Sequence, residues 1–422
     1  MRLSTARAAI AASICSLALL VPVAAQGQSP SDSARASSGN PDATECSDFG
    51  YRLPVLGDKP AVSPLAPNPL AGEKWYLDTK RSRFGHKGYR EPAYGEYRSS
   101  AGRKKALMAK IALNPRFFWF GRFSGDSLDP QRGLDDLRLR VCTFLADAER
   151  ENAVPLVTVM RHQGRECHSR YQAGGEREDN ATRLWYDAFA EAVGDSRVVI
   201  AYEPDSIGTI ECLARSRRDD RIRLLRDGID RLSQLPNATI YIEATASDWR
   251  PVHDTVSKLR RIGVDKVRGF MLNVTHADWT AANMRYGRAV SRGVGGKHFI
   301  INTASNGRGP VHFRRRIGKR NRQIVINCHP LFRGIGPTPT TNTGDPLVDA
   351  FMWISRPGYS SGSCNGGPRV GDWWQKRALE MAKYGTQRKS PATGTKFGFP
   401  RGTFTARQVS GTQFLRDKFD GP

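Results

Sequence analysis

Beyond its first 25 residues this 422-residue chain has no apolar run approaching the ~18 residues that a membrane-spanning helix needs. The expectation is therefore a mature chain without a span. Cysteine is sparse and badly spaced for metal. The seven cysteines include no Cys-x-x-Cys pair, and only His162, Cys167 and His168 lie close together. A zinc site is not expected from so loose a set. No Gly-x-Gly-x-x-Gly follows an apolar run, which argues against dinucleotide binding in an open doubly wound sheet. Acids are outnumbered, 41 against 65 Lys and Arg, for a formal charge of +24. The densest basic stretch, residues 312–322, has no interleaved aromatic ladder, so it reads as a solvated loop or face and not as a specific nucleic-acid site.

The start of the chain is basic (Arg2, Arg7), then apolar from Ala8 to Val23, then small at Val23-Ala24-Ala25. That is the pattern of a secretory signal peptide cleaved near Ala25. Removing Arg2 and Arg7 lowers the formal charge from +24 to +22, and the remaining field attracts polyanions, including anionic cell-wall polymer. Six cysteines would remain: Cys46, Cys142, Cys167, Cys212, Cys328 and Cys364. An even count in an exported chain favours disulfides over metal. Cys46 and Cys142 either pair with each other or leave Cys142 as a buried thiol among apolar helix neighbours.

Residues 26–66 are rich in Ser, Pro, Gly and Asp and read as a flexible leader. Residues 67–387 read as one globular domain, and 388–422 as a polar, basic tail. Within the domain, apolar runs such as Val198–Tyr202, Ala238–Glu243 and His298–Asn302 alternate with segments of helical spacing. About seven such βα repeats predict an α/β fold, a parallel TIM-like barrel. No metal or organic cofactor is called for, and a monomer is expected.

In a parallel barrel every strand ends on the same face. Reading those ends gives Glu166, Glu203, Asp205, Glu243, Asn273 and Asn302. Acids converging on one cleft disfavour each other's charged forms, so at least one is kept protonated as a general acid requires. Such a set suits glycosidic bond cleavage. Tyr76, Trp249 and Trp279 lie near these ends and are candidates for stacking on sugar rings.

At this point several motifs, in order, resemble glycoside hydrolase family 6. They are residues 68–72 with Trp75-Tyr76, Glu203-Pro-Asp-Ser206, residues 269–274, Asn306-Gly307, residues 339–346, residues 347–353 and residues 362–368. The resemblance runs from about Asn68 to Tyr384. It implies a distorted barrel of about seven strands, and a secreted, inverting enzyme that cleaves β-1,4-glucan. It puts the proton donor at Asp205 and disulfides between Cys167 and Cys212 and between Cys328 and Cys364; with the strand-end reading, the substrate-binding candidates are Tyr76, Glu243, Trp249, Asn273, Ser355 and Tyr359.

The departures bear on chemistry. Glu166 and Glu243 stand where the family has Asp, and Ser361 stands where it has an Asp often assigned as base. Ser355 replaces a Lys and Tyr359 a Glu; Met160 replaces a ring-distorting Tyr. Gln172, Asn327 and Ala246 replace a Ser, a Trp and a His. A serine hydroxyl does not accept a proton as a carboxylate does. Either Glu166 relays the proton from water and supports Asp205, or the barrel is catalytically silenced and binds polysaccharide. A third reading is a cell-envelope interaction protein that uses its basic surface.

Overall fold

The computed structural model describes residues 62–79, 91–121, 130–162, 176–317, 320–326, 329, 333–363, 366–385 and 413–415, all within one compact unit, Asn40–Pro422. Its centre is a seven-stranded parallel sheet formed by β1 (Phe118–Gly121), β2 (Leu156–Met160), β3 (Val198–Tyr202), β4 (Ala238–Glu243), β5 (Gly269–Leu272), β6 (His298–Asn302) and β9 (Val348–Met352). Strands β1 to β6 are neighbours in chain order, and β9 joins β6. The sheet curls so that its edges approach: Phe117 N donates to Trp353 O at 3.1 Å, and the Trp119 indole donates to Ile354 O at 2.8 Å. No ladder joins β1 to β9 among the described residues, so this is a distorted, incompletely closed α/β barrel.

Side-chain alternation explains why these runs are apolar throughout. Phe117, Leu156, Val199, Ala201, Tyr241, Met271, Ile300, Ala350 and Met352 fill the barrel interior. The intervening residues, among them Val157, Ile200, Ile242, Phe270 and Ile301, pack outward on the helices. Those helices are α3 (Pro130–Arg150), α4 (Glu176–Val193), α5 (Arg215–Leu232), α6 (Val252–Ile262) and α7 (Thr280–Gly293). Gly263 ends α6 at φ 103°, a left-handed cap that suits glycine.

A second core holds α1 (Pro92–Ser99), α2 (Gly102–Ala112) and α8 (Gln375–Tyr384) around Trp353, Ile335 and Met381. The basic stretch at 312–322 is not a loop: it lies on the antiparallel hairpin β7 (Val311–Ile317) and β8 (Arg320–Ile326), with β10 (Gln413–Leu415) along β8.

The end of the barrel where β5, β6 and β9 begin is locked by buried charge. Arg268 grips Asp349 with two bonds of 2.8 and 2.9 Å, the Tyr241 hydroxyl donates to Asp349 at 2.6 Å, and His298 Nδ1 lies 3.0 Å from it. Both Arg268 and Asp349 are almost fully buried, and the pair holds Asp349 below the usual carboxylate range although burial opposes this.

Candidate active site

The opposite end, where the strands finish, opens into a cavity of about 470 Å³. Trp119 in β1 and Met160 at the end of β2 line it by the same alternation that fills the barrel, and Asp205, Val274 and Thr275 continue the lining. Ser355, Arg356, Pro357, Tyr359, Ser360 and Ser361 line it too, with His329, Arg333 and Arg377. Asp205 is the carboxyl among the described lining residues, and it takes a hydrogen bond from the Thr275 hydroxyl.

The loop that carries Asp205 is held from below. Glu203, φ 52°, and Asp205, φ 69°, are both left-handed, a conformation uncommon outside glycine. Thr245 and Asn273 at the ends of neighbouring strands share it, at φ 65° and 68°. Strain of this kind persists where surrounding bonds over-determine it, and here they do. The Glu243 carboxyl accepts from the backbone of Ile207, Gly208 and Thr245. Gly208 lies flush against the Trp249 ring, where a Cβ would come within 2.2 Å of it. The Glu203 carboxyl accepts from Arg161 N, His162 N and the Tyr186 hydroxyl at 2.7 to 2.9 Å.

Both glutamates are buried, and burial is the main reason their carboxyls are pushed up. Glu203 is raised to about 7 against the pull of the His162 and Arg161 amides. Glu243 is raised to about 8, with the Asp205 carboxyl as the second cause. At neutral pH Glu243 is therefore mostly protonated, which keeps a second negative charge away from Asp205. Glu243 faces the backbone of the acid loop and not the cavity, so its place fits field tuning and loop support better than hydroxyl binding.

The remaining sequence candidates divide. Ser355, Tyr359 and Ser361 all line the cavity. Ser355 is fixed by Asn302, which donates to its hydroxyl at 2.9 Å and accepts from its amide. The Tyr359 hydroxyl donates to Glu91 at 2.7 Å, its ring lies 3.9 Å from the Arg356 guanidinium carbon, and Glu91 pairs with Arg116. Ser361 is exposed, and its amide donates to His329 Nε2 at 3.2 Å. Asn273 is saturated internally, bonding the backbone of Asp278 and Asn302.

Three aromatic candidates offer no open face. Tyr76, 1% exposed, packs edge-on to Phe144 in the core. Trp249 stacks on His276 at 4.5 Å, and Trp279 packs against Gly309. Besides Tyr359, the cavity wall carries the Trp119 ring, marked in the sequence only by its inward register in β1. Glu166, Cys167, Gln172, Asn327, Cys328 and Cys364 lie outside the described residues. Cys212 is disulfide-bonded, and so is Cys142, which settles that cysteine as a bridge and not a buried thiol.

The cavity wall also carries cations that the sequence reading did not assemble. Arg333 and Arg377 are 6% and 3% exposed. Burial, then the neighbouring Arg377 charge, lowers Arg333 to about 9. Burial and Arg377 likewise lower His329 to about 4, so its imidazole is neutral at neutral pH.

Comparison with known proteins places this geometry in context. Residues 79–384 match the profile of Glycosyl hydrolases family 6. Endoglucanase A of Cellulomonas fimi is 32% identical over 318 residues, which are 75% of this chain and 62% of that protein. Endoglucanase 1 of Streptomyces halstedii is 28% identical, with 66% of this chain and 82% of that protein aligned. The endoglucanase Cel6 of Mycobacterium tuberculosis, solved in complex with methyl-cellobiosyl-4-deoxy-4-thio-β-D-cellobioside, superposes with a TM-score of 0.64 at 30% identity, over 75% of this chain and 99% of that one.

Proposed function

Since this chain belongs to Glycosyl hydrolases family 6, we propose that it is a secreted glucanase that hydrolyses β-1,4-glucosidic bonds with inversion, using Asp205 as general acid. The observation that carries this is the placement of Asp205: a carboxyl at a strand end, in the wall of a substrate-sized cavity, on a strained loop held by Glu243. Named endoglucanases among the relatives, and a cello-oligosaccharide analogue bound to a structural neighbour, support a β-glucan substrate.

In this reading the Asp205 carboxyl protonates the leaving oxygen as the glycosidic bond breaks, and water attacks the anomeric carbon from the opposite face of the ring. That water must lose a proton. The cavity that holds Asp205 also presents Ser361, and no second carboxylate among its described lining residues. We assign the relay to Glu166, whose extra methylene extends its reach by about 1.5 Å, one carbon–carbon bond. Glu243 keeps the acid loop in place and stays neutral. The N-terminal 25 residues direct export and are removed.

A second reading is favoured by the same wall. A barrel with an acid and no opposing base binds glucan and turns it over poorly or not at all, in which case the protein is a polysaccharide binder.

Proton magnetic resonance of freshly cleaved cello-oligosaccharide separates these readings. Inversion requires that the α-anomer appear first, with mutarotation following. First appearance of the β-anomer would exclude the single-displacement chemistry, and absence of product with retained binding would favour the binder.

A further inference from the structure

The cavity that holds Asp205 is lopsided in charge. Arg333, Arg356 and Arg377 stand in its wall with His329, while Asp205 is the carboxyl among the described lining residues. Uncharged glucan offers hydroxyls, which accept from a guanidinium, and ring faces, but no anion to balance three cations. Two of them are expensive to keep there. Arg333 and Arg377 are 6% and 3% exposed, and buried cations cost several kcal/mol of lost hydration unless anions or dipoles compensate. Glu380 pairs with Arg377 at 2.7 Å, and the charges of Asp248 and Glu380 favour the Arg333 cation. Burial is the main cause that lowers Arg333 and His329; the Arg377 charge adds to it at both, and Arg333 at His329.

Position within the cavity sharpens the point. The same wall runs from Ser355 through Ser361. Ser360 is committed to backbone, its hydroxyl bonding Gly362 O and Pro368 O, whereas Ser361 is exposed. Arg356 is carried over the Tyr359 ring at 3.9 Å, and Tyr359 is anchored by Glu91, so that guanidinium is pre-positioned and not free to wander. A guanidinium fork matches the planar two-oxygen edge of a carboxylate and the oxygens of a sulfate or phosphate ester.

We propose that the wall formed by Arg333, Arg356 and Arg377 is a subsite for an oxyanion substituent, so that the preferred substrate is an anionic β-1,4-glucan and not plain cellulose. The inference rests on the glucanase reading, because it places the anion on a sugar chain that reaches Asp205. It does not depend on the overall positive charge, which acts at long range on any polyanion and is screened within ~10 Å at 0.1 M salt.

Calorimetric titration with cellotetraose, carboxymethylated cellotetraose and sulfated cellotetraose at fixed ionic strength tests this, with hydrolysis of the same three followed in parallel. At least one charged ligand should bind about tenfold or more tightly than the neutral one, as expected of charge-assisted bonds in a partly desolvated wall. Which of the two is preferred tells carboxylate from sulfate. In Arg356→Gln and Arg333→Gln the charged-to-neutral ratio of Kd values should collapse toward one. Arg226→Gln, on the exposed face of α5, should keep it. If Arg333→Gln does not fold, Arg356→Gln carries the test. Equal affinity for all three ligands would overturn the subsite and leave the glucanase reading standing. A preference that survives both cavity variants, or that Arg226→Gln reduces equally, would assign the attraction to bulk charge and also overturn it. Binding of none of the three would overturn the glucanase reading and the subsite with it.

Discussion

Replacing Ser361 by aspartate should raise the turnover of β-glucan. Ser361 is exposed and lines the same cavity as Asp205, and its amide donates to His329 Nε2 at 3.2 Å. The backbone there is already shaped for a short side chain: Gly362 follows at φ 145°, which glycine tolerates, and the Ser360 hydroxyl is tied to Gly362 O and Pro368 O. A carboxylate at 361 would enter a wall that contains Arg333, Arg356 and Arg377, and their field favours its ionised form. It would then be a second carboxylate in the cavity of Asp205, available to accept a proton from the attacking water. A positioned general base contributes about 10²–10⁴ in rate. If Glu166 supplies part of that, the gain in Ser361→Asp should lie near the lower bound, about 10²-fold in kcat with little change in KM. Reducing-end release from soluble β-glucan, measured under single-turnover and steady-state conditions, reads this directly. The reasoning would be refuted by Ser361→Asp turning over no faster than the wild type while Glu166→Gln also leaves the rate unchanged. Neither position would then hold the base.

Protonation of the buried glutamates makes stability depend on pH. Glu203 and Glu243 are raised to about 7 and about 8, so between ~4.5 and ~8 the folded chain binds more protons than the unfolded one. Stability is then greatest at the acid end of that window and falls as pH rises through it, by on the order of 3–5 kcal/mol per group at ~1.4 kcal/mol per unit. Urea titrations at pH ~5 and ~8 should show the lower midpoint at pH ~8, and Glu203→Gln should flatten the dependence; a midpoint that rises with pH would contradict this. At the other end of the barrel, Asp349→Ala strands the buried Arg268 and should cost about 3–5 kcal/mol in denaturant unfolding. A loss below ~1 kcal/mol would mean that the buried pair is not what locks the strand starts.

Much of the barrel is legible in the residue pattern, for a physical reason. Strands buried on both faces are apolar throughout, so the runs at 198–202, 238–243 and 298–302 coincide with β3, β4 and β6 end for end. Elements rich in charge are not legible in this way. Helix α2 carries Arg103, Lys104, Lys105 and Lys110, and hairpin β7–β8 carries the Arg-rich stretch, so neither shows an apolar signature despite regular backbone. At the site, Asp205 is readable because a strand end plus a carboxyl is a local pattern. Tyr76, Trp249 and Trp279 mislead because proximity in sequence to a strand end does not say which way a ring turns, and theirs turn into the core. Trp119 was recoverable from alternation: it shares the inward register of Phe117. The arginine wall was not recoverable, since Arg333, Arg356 and Arg377 come from separate segments that only the fold brings together.

The most direct measurement is product release from soluble β-glucans and cello-oligosaccharides by the purified chain beside Asp205→Asn, with ligand affinity measured on both. Loss of turnover by about 10²-fold or more in Asp205→Asn, with affinity retained, is expected of a general acid. Equal turnover by the two proteins would contradict the assignment of Asp205. Absence of turnover in both, with undiminished binding, would contradict hydrolysis itself.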